Sequence, residues 1–410
     1  MNLEVKPCAY LEANCQKYDE LVKLVAFTDY VYSQRGEILY GERAFALFLV
    51  SLTAHVEHLT IVGRLNREPR TFHYPLPATV GFVGLPHYSS LTKPLSVASS
   101  LVRSLQRFWR AIDDADAVWL LGPYPHAVAF ALLALIRRKH LVLGVRQDFP
   151  AYVRSRRPNR RWMHFSADLL ELSWRLLARR APVVVVGPEL ERHYRHAPAV
   201  LQIAVSLVTT DDVAEGERAA GRSYDGDLSM LSVGRIDSEK NPLLLADVLA
   251  QLRKDDPRWR LVVCGEGPLA EALQARLVEL GLEQHAEIRG YVPIDGGLLD
   301  LYRSSHAFLH VSLTEGVPQV LIEAFASGVP VVATAVGGVA EAAGEAALLI
   351  PPRDAPAAVQ ALAQIAGGAE LRAGLIDRGL ALARRHTLES ETARVAAFIS
   401  SPNGAGPTGA

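Results

Sequence analysis

The chain has 410 residues, of which 50% are apolar and 21% are charged. That length exceeds one ordinary hydrophobic core and favours two domains, and the composition excludes an intrinsically disordered chain. Because 43 lysines and arginines nearly balance 44 acids, no net field attracts nucleic acid or an anionic membrane, and any such attraction must be local.

The cysteines and the apolar stretches indicate the compartment. Three cysteines, Cys8, Cys15 and Cys264, are too few and too scattered for a disulfide framework or a zinc site, and they suit a reducing cytoplasm. The N-terminus lacks the charged start and apolar run of a secretory signal. The longest apolar stretch, Ala127 to Ile136, is about half of a bilayer span. We expect a cytoplasmic protein without a transmembrane helix.

In the first half of the chain, β-branched runs alternate with helix-period segments, which predicts parallel strands joined by helical crossovers. Strands are predicted at Leu24–Phe27, Leu59–Val62, Ala117–Leu121, His140–Val145 and Val183–Val186. Helices are predicted at about Arg43–Ala54, Val97–Ile112, His126–Arg137 and Ala167–Arg179. These elements make up the first predicted domain, residues 1–205.

A polar, glycine-rich stretch, Gln202–Gly226, predicts a linker, which we place at residues 206–226. A second and more regular series follows and makes up a second predicted domain, residues 227–385. Its strands are predicted at Met230–Val233, Arg260–Cys264, Ala286–Arg289, Ala307–Val311, Val329–Ala333 and Ala347–Ile350, and its helices at Pro242–Leu252, Leu269–Leu280, Leu298–Ser304 and Pro318–Ala326. Gly281 suits a left-handed cap on the helix before it. Three further helical segments end in a C-terminal helix, 386–400, and the tail 401–410 is expected to be disordered.

Two open parallel sheets in tandem imply a crevice, and ligands of such sheets bind beyond the carboxyl ends of the strands. The first such loop of the second domain carries Gly234, Arg235 and Lys240 before a helix. A guanidinium and an ammonium at a helix start suit a diphosphate. The alternative is a solvated loop in which both cations pair with Asp237 and Glu239.

Two further loops carry weaker signals. Gly265 and Gly267 form a Gly-x-Gly turn, but such glycines often only tighten a turn, and the missing third glycine and acid count against a nicotinamide site. In the loop Arg289-Gly290-Tyr291-Val292, glycine would let a flat ligand approach the backbone. A structural turn explains that loop equally well.

The loop that carries Glu315 is the strongest signal. Pro318 at the start of the following helix leaves the backbone N–H groups around Gly316 and Val317 open to an anion. Glu323 lies about 7–8 Å further along the helix axis, an offset similar to that between a diphosphate and a ribose. A carboxylate beside a phosphate site would bind sugar hydroxyls. The alternative is that Glu315 complements the helix dipole and Glu323 is an exposed acid.

The second half resembles the donor-binding domain of the retaining glycosyltransferases of the GT-B fold, family four, known as glycosyl transferases group 1. The resemblance covers Met230 to about Ile365 and rests on four ordered motifs. These are Gly234-Arg235 with Lys240, Gly265-Glu266-Gly267, Gly290-Tyr291-Val292, and the E-x7-E pair Glu315/Glu323 followed by Ser327-Gly328-Val329-Pro330 and Gly337-Gly338. The implied fold is α/β, with two Rossmann-like doubly wound parallel-sheet domains that face each other across a cleft.

The resemblance also implies roles for single residues. Arg235 and Lys240 would hold the donor diphosphate and stabilise the leaving nucleotide in place of a metal ion, so neither a metal nor a cofactor is expected. Glu315 would contact the donor sugar, with Gly316, Val317 and Pro318 next to the phosphates. Glu323 would bind the ribose, and the backbone of Arg289, Tyr291 and Val292 would border the base. The implied activity is hexosyl transfer with retention of configuration.

The first half departs from the family pattern. The loop after its first strand, Thr28 to Gly36, has one glycine where many members have a pair. Asp148 or Arg146 takes the place of a catalytic histidine that many members carry, and His126 is the other candidate. The segment Arg154–Arg161 holds five arginines in eight residues, and it is read either as a solvated loop or as a peripheral contact with anionic lipid headgroups or a lipid-diphosphate acceptor.

The sequence therefore predicts an enzyme that moves a sugar from a nucleotide-sugar donor to a glycan or lipid-linked acceptor, in polysaccharide or cell-envelope synthesis. No nucleic-acid partner is expected. Two alternatives stay open at this point. One is a GT-B epimerase or hydrolase that acts on nucleotide-sugars, and the other is a nucleotide-sugar-binding subunit without catalysis.

Overall fold

The computed structural model describes residues 21–66, 72–87 and 94–401. They form two compact units. The first contains the described residues up to Val184, together with His196–Leu201 and the segment that starts at Thr392, and the second contains Val185–Arg195 and Gln202–Glu391. Cys8, Cys15 and nearly all of the predicted tail lie outside the described residues.

A mostly parallel sheet organises the elements of the first half. Its strands are β1 (Lys23–Arg35), β2 (Ile38–Gly41), β3 (His58–Asn66), β4 (Tyr74–Leu76), β5 (Gly81–Pro86), β6 (Ala117–Gly122), β7 (His140–Val145), β8 (Val183–Val186) and β9 (Val200–Ile203). The helices are α1 (Phe45–Ser51), α2 (Pro94–Ala111), α3 (Pro125–Ile136), α4 (Phe149–Arg156), α5 (Arg161–Ala178) and α6 (Pro188–Tyr194). Strand β1 pairs in parallel with β3 and β6, and the order continues through β7 and β8 to β9.

Strand β1 corrects the predicted loop after the first strand. Its 13 residues run through Thr28 to Arg35, where a glycine-poor loop was expected. The register with β3 shifts between Phe27 and Val31, and β2 pairs antiparallel with the far end of β1. The family-like first loop is thus replaced by an irregular strand and a hairpin that turns at Gly36. Local patterning missed this because the polar residues Thr28 and Asp29 interrupt the apolar run although both are buried.

The second half forms a six-stranded parallel sheet. Its strands are β10 (Leu228–Val233), β11 (Trp259–Cys264), β12 (Ala286–Ile288), β13 (Ala307–His310), β14 (Val331–Thr334) and β15 (Ala347–Ile350). Its helices are α7 (Thr210–Ala219), α8 (Leu243–Asp255), α9 (Ala270–Glu279), α10 (Leu298–Ser304), α11 (Gln319–Ala326), α12 (Val339–Ala343), α13 (Ala355–Gly367), α14 (Ala369–Arg385) and α15 (Leu388–Ser400). The strand order is β12-β11-β10-β13-β14-β15, a doubly wound arrangement.

Helix α7 lies within the predicted linker. Thr209 and Asp212 form a capping box in which each side chain accepts a hydrogen bond from the other's backbone N–H. The predicted linker therefore contains a helix over Thr210–Ala219, and two of the acids that made the segment look solvated, Asp211 and Asp212, lie in the first turn of this helix.

In the second unit, the helical period of the apolar residues correctly predicted helix α9. Leu273 and Leu277 of α9 are buried in the core, and Gly281 has φ +67° just after the helix, so the predicted helix and its left-handed cap are both confirmed. Among the helices of the described ranges, none is long and apolar enough to cross a bilayer.

Candidate functional site

The candidate site lies where β10 and β13 are neighbours in the second sheet. At this point the strand order reverses, so the loops after the two strands diverge and leave a crevice at their carboxyl ends. A pocket occupies this position. It is lined by Ser232, Val233, Gly234, Arg235, Ile236, Lys240, Pro242, Leu245, Val263, His310, Val311 and Ser312.

Lys240 and Glu315 meet at this crevice. The ammonium of Lys240, just before α8, donates to Oε1 of Glu315 in the loop after β13, although the two residues are 75 apart in the chain. Their side chains are 22% and 10% exposed, so the pair is largely sheltered from water. This contact brings together two of the predicted site residues, and it differs from the predicted alternative, which paired Lys240 with acids of its own loop.

His310 is a second partner of Glu315. It ends β13, is almost wholly buried, and its Nε2 lies 2.9 Å from the same Oε1. The geometry at Nε2 is not that of an aligned hydrogen bond, although the short distance couples His310 to the charge of Glu315. His310 also lines the pocket.

These neighbours keep Glu315 ionised. Burial alone would raise the pKa of Glu315, but His310 and the positive charge of Lys240 outweigh burial and lower the pKa to about 2. The site thus contains a buried carboxylate held next to an ammonium, at the edge of a sheet where anionic ligands bind. Such a carboxylate can accept hydrogen bonds from hydroxyl groups at any physiological pH.

Arg235 forms ion pairs with two carboxylates of its own loop. One guanidinium nitrogen contacts Asp237, and another lies 2.9 Å from Oε2 of Glu239. Asp237 is buried and accepts a hydrogen bond from the backbone N–H of Glu239 at 3.1 Å, which fixes the loop. For Arg235, this pairing agrees with the alternative prediction of a loop whose cations pair with Asp237 and Glu239. The side chain is nevertheless 47% exposed and lines the pocket, so a ligand can reach it.

The Gly-x-Gly turn packs on the backbone of the Arg235 loop. A Cβ at Gly265 would lie 1.8 Å from the carbonyl oxygen of Gly234, and one at Gly267 would lie 2.2 Å from that of Ile236. Ile236 N–H donates to Glu266 O at 2.9 Å across the same contact. Both glycines are therefore required for packing, and the predicted contact with a donor stays a prediction.

The loop Arg289-Gly290-Tyr291-Val292, which follows β12, is hydrogen-bonded to the Gly-x-Gly turn. Gly265 N–H donates to the carbonyl of Gly290 at 2.7 Å, which ties the loops after β11 and β12 together. Arg289 donates to Glu287 at 2.8 Å, Tyr291 is 44% exposed, and Val292 packs on the core under β13. The place of a base beside Arg289–Val292 stays a prediction.

The Glu315 loop rests on the glycine pair Gly337-Gly338. A Cβ at Gly337 would lie 1.9 Å from the carbonyl oxygen of Glu315, and one at Gly338 would lie 2.6 Å from that of Gly316. Only glycine permits this approach, and Gly337 also has φ +52°. The pair fixes the backbone ahead of α11, whose N-cap is Pro318 in extended conformation, as predicted from Pro318 at the helix start.

Glu323 is buried, so the predicted alternative of an exposed helical acid is wrong. It lies on α11, and its Oε2 accepts a hydrogen bond from the hydroxyl of Tyr302 at 3.1 Å. Burial raises the pKa of Glu323 to about 7, and the Tyr302 hydrogen bond only partly offsets that. Glu323 therefore has a hydrogen-bond partner, Tyr302, that differs from the partners of Glu315.

The candidates from the first half have structural partners. His126 is buried in α3, its Nε2 lies 3.2 Å from Oγ of Ser100, and burial lowers its pKa to about 4. Asp148 caps α4 by accepting from the N–H of Ala151 at 2.9 Å. The guanidinium of Arg146 lies 4.1 Å from the ring centre of Phe45 and contacts the hydroxyl of Tyr30. Their catalytic roles stay predictions.

Among the described residues, no group of three or more histidine, cysteine, aspartate or glutamate side chains is placed to hold a metal ion. Two cationic side chains, Arg235 and Lys240, line the pocket at the crevice of the second sheet.

Two residues of the site, His310 and Tyr302, were not predicted from the sequence. His310 ends an otherwise apolar strand, and that single polar residue among Phe308, Leu309 and Val311 was the available signal. Tyr302 offered no signal in the sequence, because its importance depends on the burial of Glu323 against it.

The fold can be compared with solved structures. Sucrose-phosphate synthase from Thermosynechococcus elongatus has a TM-score of 0.67 at 17% identity, with 91% of this chain and 97% of that chain covered. Anabaena HepE in complex with UDP has a TM-score of 0.64 at 16% identity, with 91% and 98% covered. WaaG, a glycosyltransferase involved in lipopolysaccharide biosynthesis, has a TM-score of 0.64 at 16% identity, with 92% and 99% covered. The chain has the GT-B fold of two Rossmann-like domains, as predicted.

Sequence comparison gives a family match over part of the chain. Residues 213–381 match the family described as Glycosyl transferases group 1. The D-inositol 3-phosphate glycosyltransferase of Saccharomonospora viridis is 34% identical over 219 residues, which cover 49% of each chain. The putative colanic acid biosynthesis glycosyltransferase WcaL of Salmonella typhimurium is 32% identical over 173 residues, which cover 40% of this chain and 42% of that one. The matches thus span about half or less of these relatives' length.

Proposed function

We propose that the protein is a retaining, metal-independent glycosyltransferase that moves a hexosyl group from a nucleotide-diphosphate sugar to an acceptor hydroxyl. The observation that carries the proposal is the Lys240–Glu315 pair at the carboxyl edge of β10 and β13. The pair joins a diphosphate-binding cation to a carboxylate that binds hydroxyl groups. No cofactor beyond the donor substrate is required.

In this proposal, Lys240 and Arg235 bind the donor diphosphate and stabilise the charge that develops on it as the bond to the sugar breaks. Glu315 accepts hydrogen bonds from the donor sugar, and the backbone N–H groups of Gly316 and Val317 bind phosphate oxygens. Glu323 binds the ribose, which would replace part of its contact with Tyr302. The acceptor hydroxyl oxygen forms the new bond to the sugar carbon as the bond between that carbon and the diphosphate oxygen breaks, and the hydroxyl proton passes to the departing diphosphate.

The acceptor is proposed to be a glycan or a lipid-linked glycan precursor, as in the envelope polysaccharide functions in the names of several relatives. WcaL is named for colanic acid biosynthesis, and a Campylobacter jejuni relative, 31% identical over 146 residues that cover 36% of this chain and 38% of that one, is named for a diphospho-undecaprenol acceptor. We also propose a peripheral contact with the inner face of the cell membrane through Arg154–Arg161.

The test is turnover with a panel of UDP-, GDP- and TDP-sugars, each offered with sugar and lipid acceptors, and with free nucleotide and product read by mass spectrometry. A new glycoside that retains the donor's anomeric configuration, formed equally with and without EDTA, supports the proposal. Substitution of Glu315→Gln should reduce turnover at least a hundredfold, whereas the exposed substitution Glu283→Gln should leave it unchanged.

Three other outcomes would contradict the proposal. Release of an altered or free sugar without acceptor would assign the site to an epimerase or hydrolase. Donor binding without turnover would indicate a nucleotide-sugar-binding subunit. Inversion of configuration, or activity that EDTA abolishes and Mg²⁺ restores, would retain the transferase but reject its stated mechanism.

A further inference from the structure

The outward face of α5 is apolar along its whole length. Trp162, Phe165, Leu169, Leu172 and Leu176 follow one another at intervals of three and four residues, which places them on one stripe of the helix. Each of the five side chains is between 44% and 70% exposed. Isolated large apolar residues are common on protein surfaces, but a contiguous stripe of five indicates a contact surface.

The fold does not need this stripe. Helix α5 already packs on the protein through its opposite face, where Ala167, Trp174 and Ala178 are buried. Trp174 lies so close to Gly122 that a Cβ there would be 2.7 Å from its ring. A helix that is docked through one face normally presents polar residues on the other, so the second apolar face is available for another surface.

The chain around the stripe is strongly basic. Between residues 154 and 180 there are eight arginines and two acids, a formal excess of six positive charges in a protein whose formal net charge is −1. Arg154 pairs with Asp168 at 2.6 Å, which leaves most of that excess uncompensated by acids of the segment. Arg157, Arg160 and Arg161 are exposed at the N-terminal end, next to Trp162, and Arg179 and Arg180 are exposed just after the helix.

We propose that this surface, the α5 stripe with its flanking arginines, lies in the interfacial layer of an anionic lipid bilayer. The five apolar side chains enter the boundary between headgroups and acyl chains, and the arginines bind the lipid phosphates. An amphipathic helix with tryptophan, phenylalanine and leucine on one face and arginine beside it has the composition of an interfacial helix. Each cation near such a surface adds to the attraction.

The charge decides against a second copy of the chain as the occupant. The spacing of the stripe would suit a partner helix equally well. A symmetric pair, however, would bring the same surface together from both sides, and with it two sets of eight arginines, a like-charge arrangement that opposes association. An anionic bilayer complements both the apolar stripe and the positive charge.

This inference deepens the membrane contact proposed above, and its test needs neither donor nor acceptor, so its failure would leave the transferase proposal intact. The full chain is sedimented with vesicles of phosphatidylcholine alone and with vesicles that also contain phosphatidylglycerol. We expect binding to the anionic vesicles, weakened about tenfold or more in the variant Phe165→Glu/Leu169→Glu. Arg157→Gln/Arg160→Gln should weaken binding less and should reduce its dependence on salt.

Val278→Glu is the matched control, since Val278 is also an exposed apolar residue of a helix, α9, and its change should leave vesicle binding unaltered. Insertion is read separately from the fluorescence of Trp162, which should shift to the blue with anionic vesicles in the wild type and not in Trp162→Phe. Equal binding to neutral and anionic vesicles, or undiminished binding of Phe165→Glu/Leu169→Glu, would overturn the proposal. A dimer that this variant dissociates, with no vesicle binding, would instead assign the stripe to a second copy.

Discussion

His310 Nε2 lies 2.9 Å from Oε1 of Glu315, the same oxygen that the ammonium of Lys240 contacts. Two nitrogen-bearing side chains, one at the end of β13 and one in the loop between β10 and α8, thus converge on one atom of a buried carboxylate. Substitution His310→Leu would remove one of them, so we expect the pKa of Glu315 to rise from about 2 and donor binding to weaken roughly tenfold.

The measurement is the donor dissociation constant as a function of pH. In His310→Leu, the loss of binding on the acid side should begin at a higher pH than in the wild type, and His310→Asn should restore part of the affinity. If His310→Leu weakened binding equally at every pH, the histidine would be only a packing residue.

The coupling between Lys240 and Glu315 can be measured without any ligand. The lowered pKa of Glu315 means that its ionisation stabilises the fold above the ordinary pKa of 4.5, and this contribution is lost as the pH falls from there towards about 2. Lys240→Met should cost about 2–3 kcal/mol at pH 7, because it leaves a buried carboxylate without its cation. A double-mutant cycle with Glu315→Gln, followed by urea unfolding, should give a coupling of about 1–3 kcal/mol at pH 7. Additive losses would show that the contact has no energetic weight.

In the proposed site, Glu239 would compete with the donor diphosphate for Arg235. Its carboxylate lies 2.9 Å from the guanidinium in a half-exposed pair, and such pairs contribute little to stability. Glu239→Gln should therefore leave the melting temperature nearly unchanged and tighten donor binding about two- to fivefold, since Arg235 no longer has to leave a carboxylate. Calorimetric titration of UDP- and GDP-sugars checks this, with Glu283→Gln as an exposed control. Weaker binding in Glu239→Gln would mean that the carboxylate positions Arg235 for the ligand.

Glu323 makes the fold less stable as the pH rises. Its pKa is about 7 in the folded chain and 4.5 in the unfolded chain, so the folded state binds the extra proton and stability falls between those two values. The full loss is about 3 kcal/mol. Glu323→Gln should remove this loss, and the variant should match the wild type at pH 5 and exceed it in unfolding free energy at pH 8. Identical pH profiles would show that the carboxyl group reaches solvent.

The glycines of the Gly-x-Gly turn are predicted to be structural. Gly265→Ala would place a Cβ 1.8 Å from the carbonyl oxygen of Gly234 at φ +148°, so we expect a loss of about 3 kcal/mol or more together with the loss of donor binding. Gly281→Ala has an unfavourable φ of +67° but meets nothing within 4 Å, and it should cost only about 1 kcal/mol. Thermal unfolding of both variants measures these losses, with Gly226→Ala as a control because Gly226 has open space around it. The comparison distinguishes the cost of backbone strain from the cost of a steric clash.

The alternation of strands and helices in the second half was available from the sequence, because each buried parallel strand is a short apolar run and each crossover helix repeats with its own period. The four post-strand loops could be located for the same reason. Gly337 and Gly338 were noticed only as part of a motif, and the tertiary structure shows that they contact the backbone of Glu315 and Gly316. Local pattern failed at β1 and α7, where buried or capping polar residues looked like loop.

By itself, the sequence predicted the α/β class, the family resemblance of the second half and the candidate residues Arg235, Lys240, Glu315 and Glu323. Only the tertiary structure decided how these side chains pair. Lys240 contacts Glu315 and not an acid of its own loop because β10 and β13 are neighbours in the sheet, a relationship between segments far apart in the chain. Local periodicity carries no information about strand order, and so the partners, the burial and the resulting pKa values of the site follow from the packed sheet.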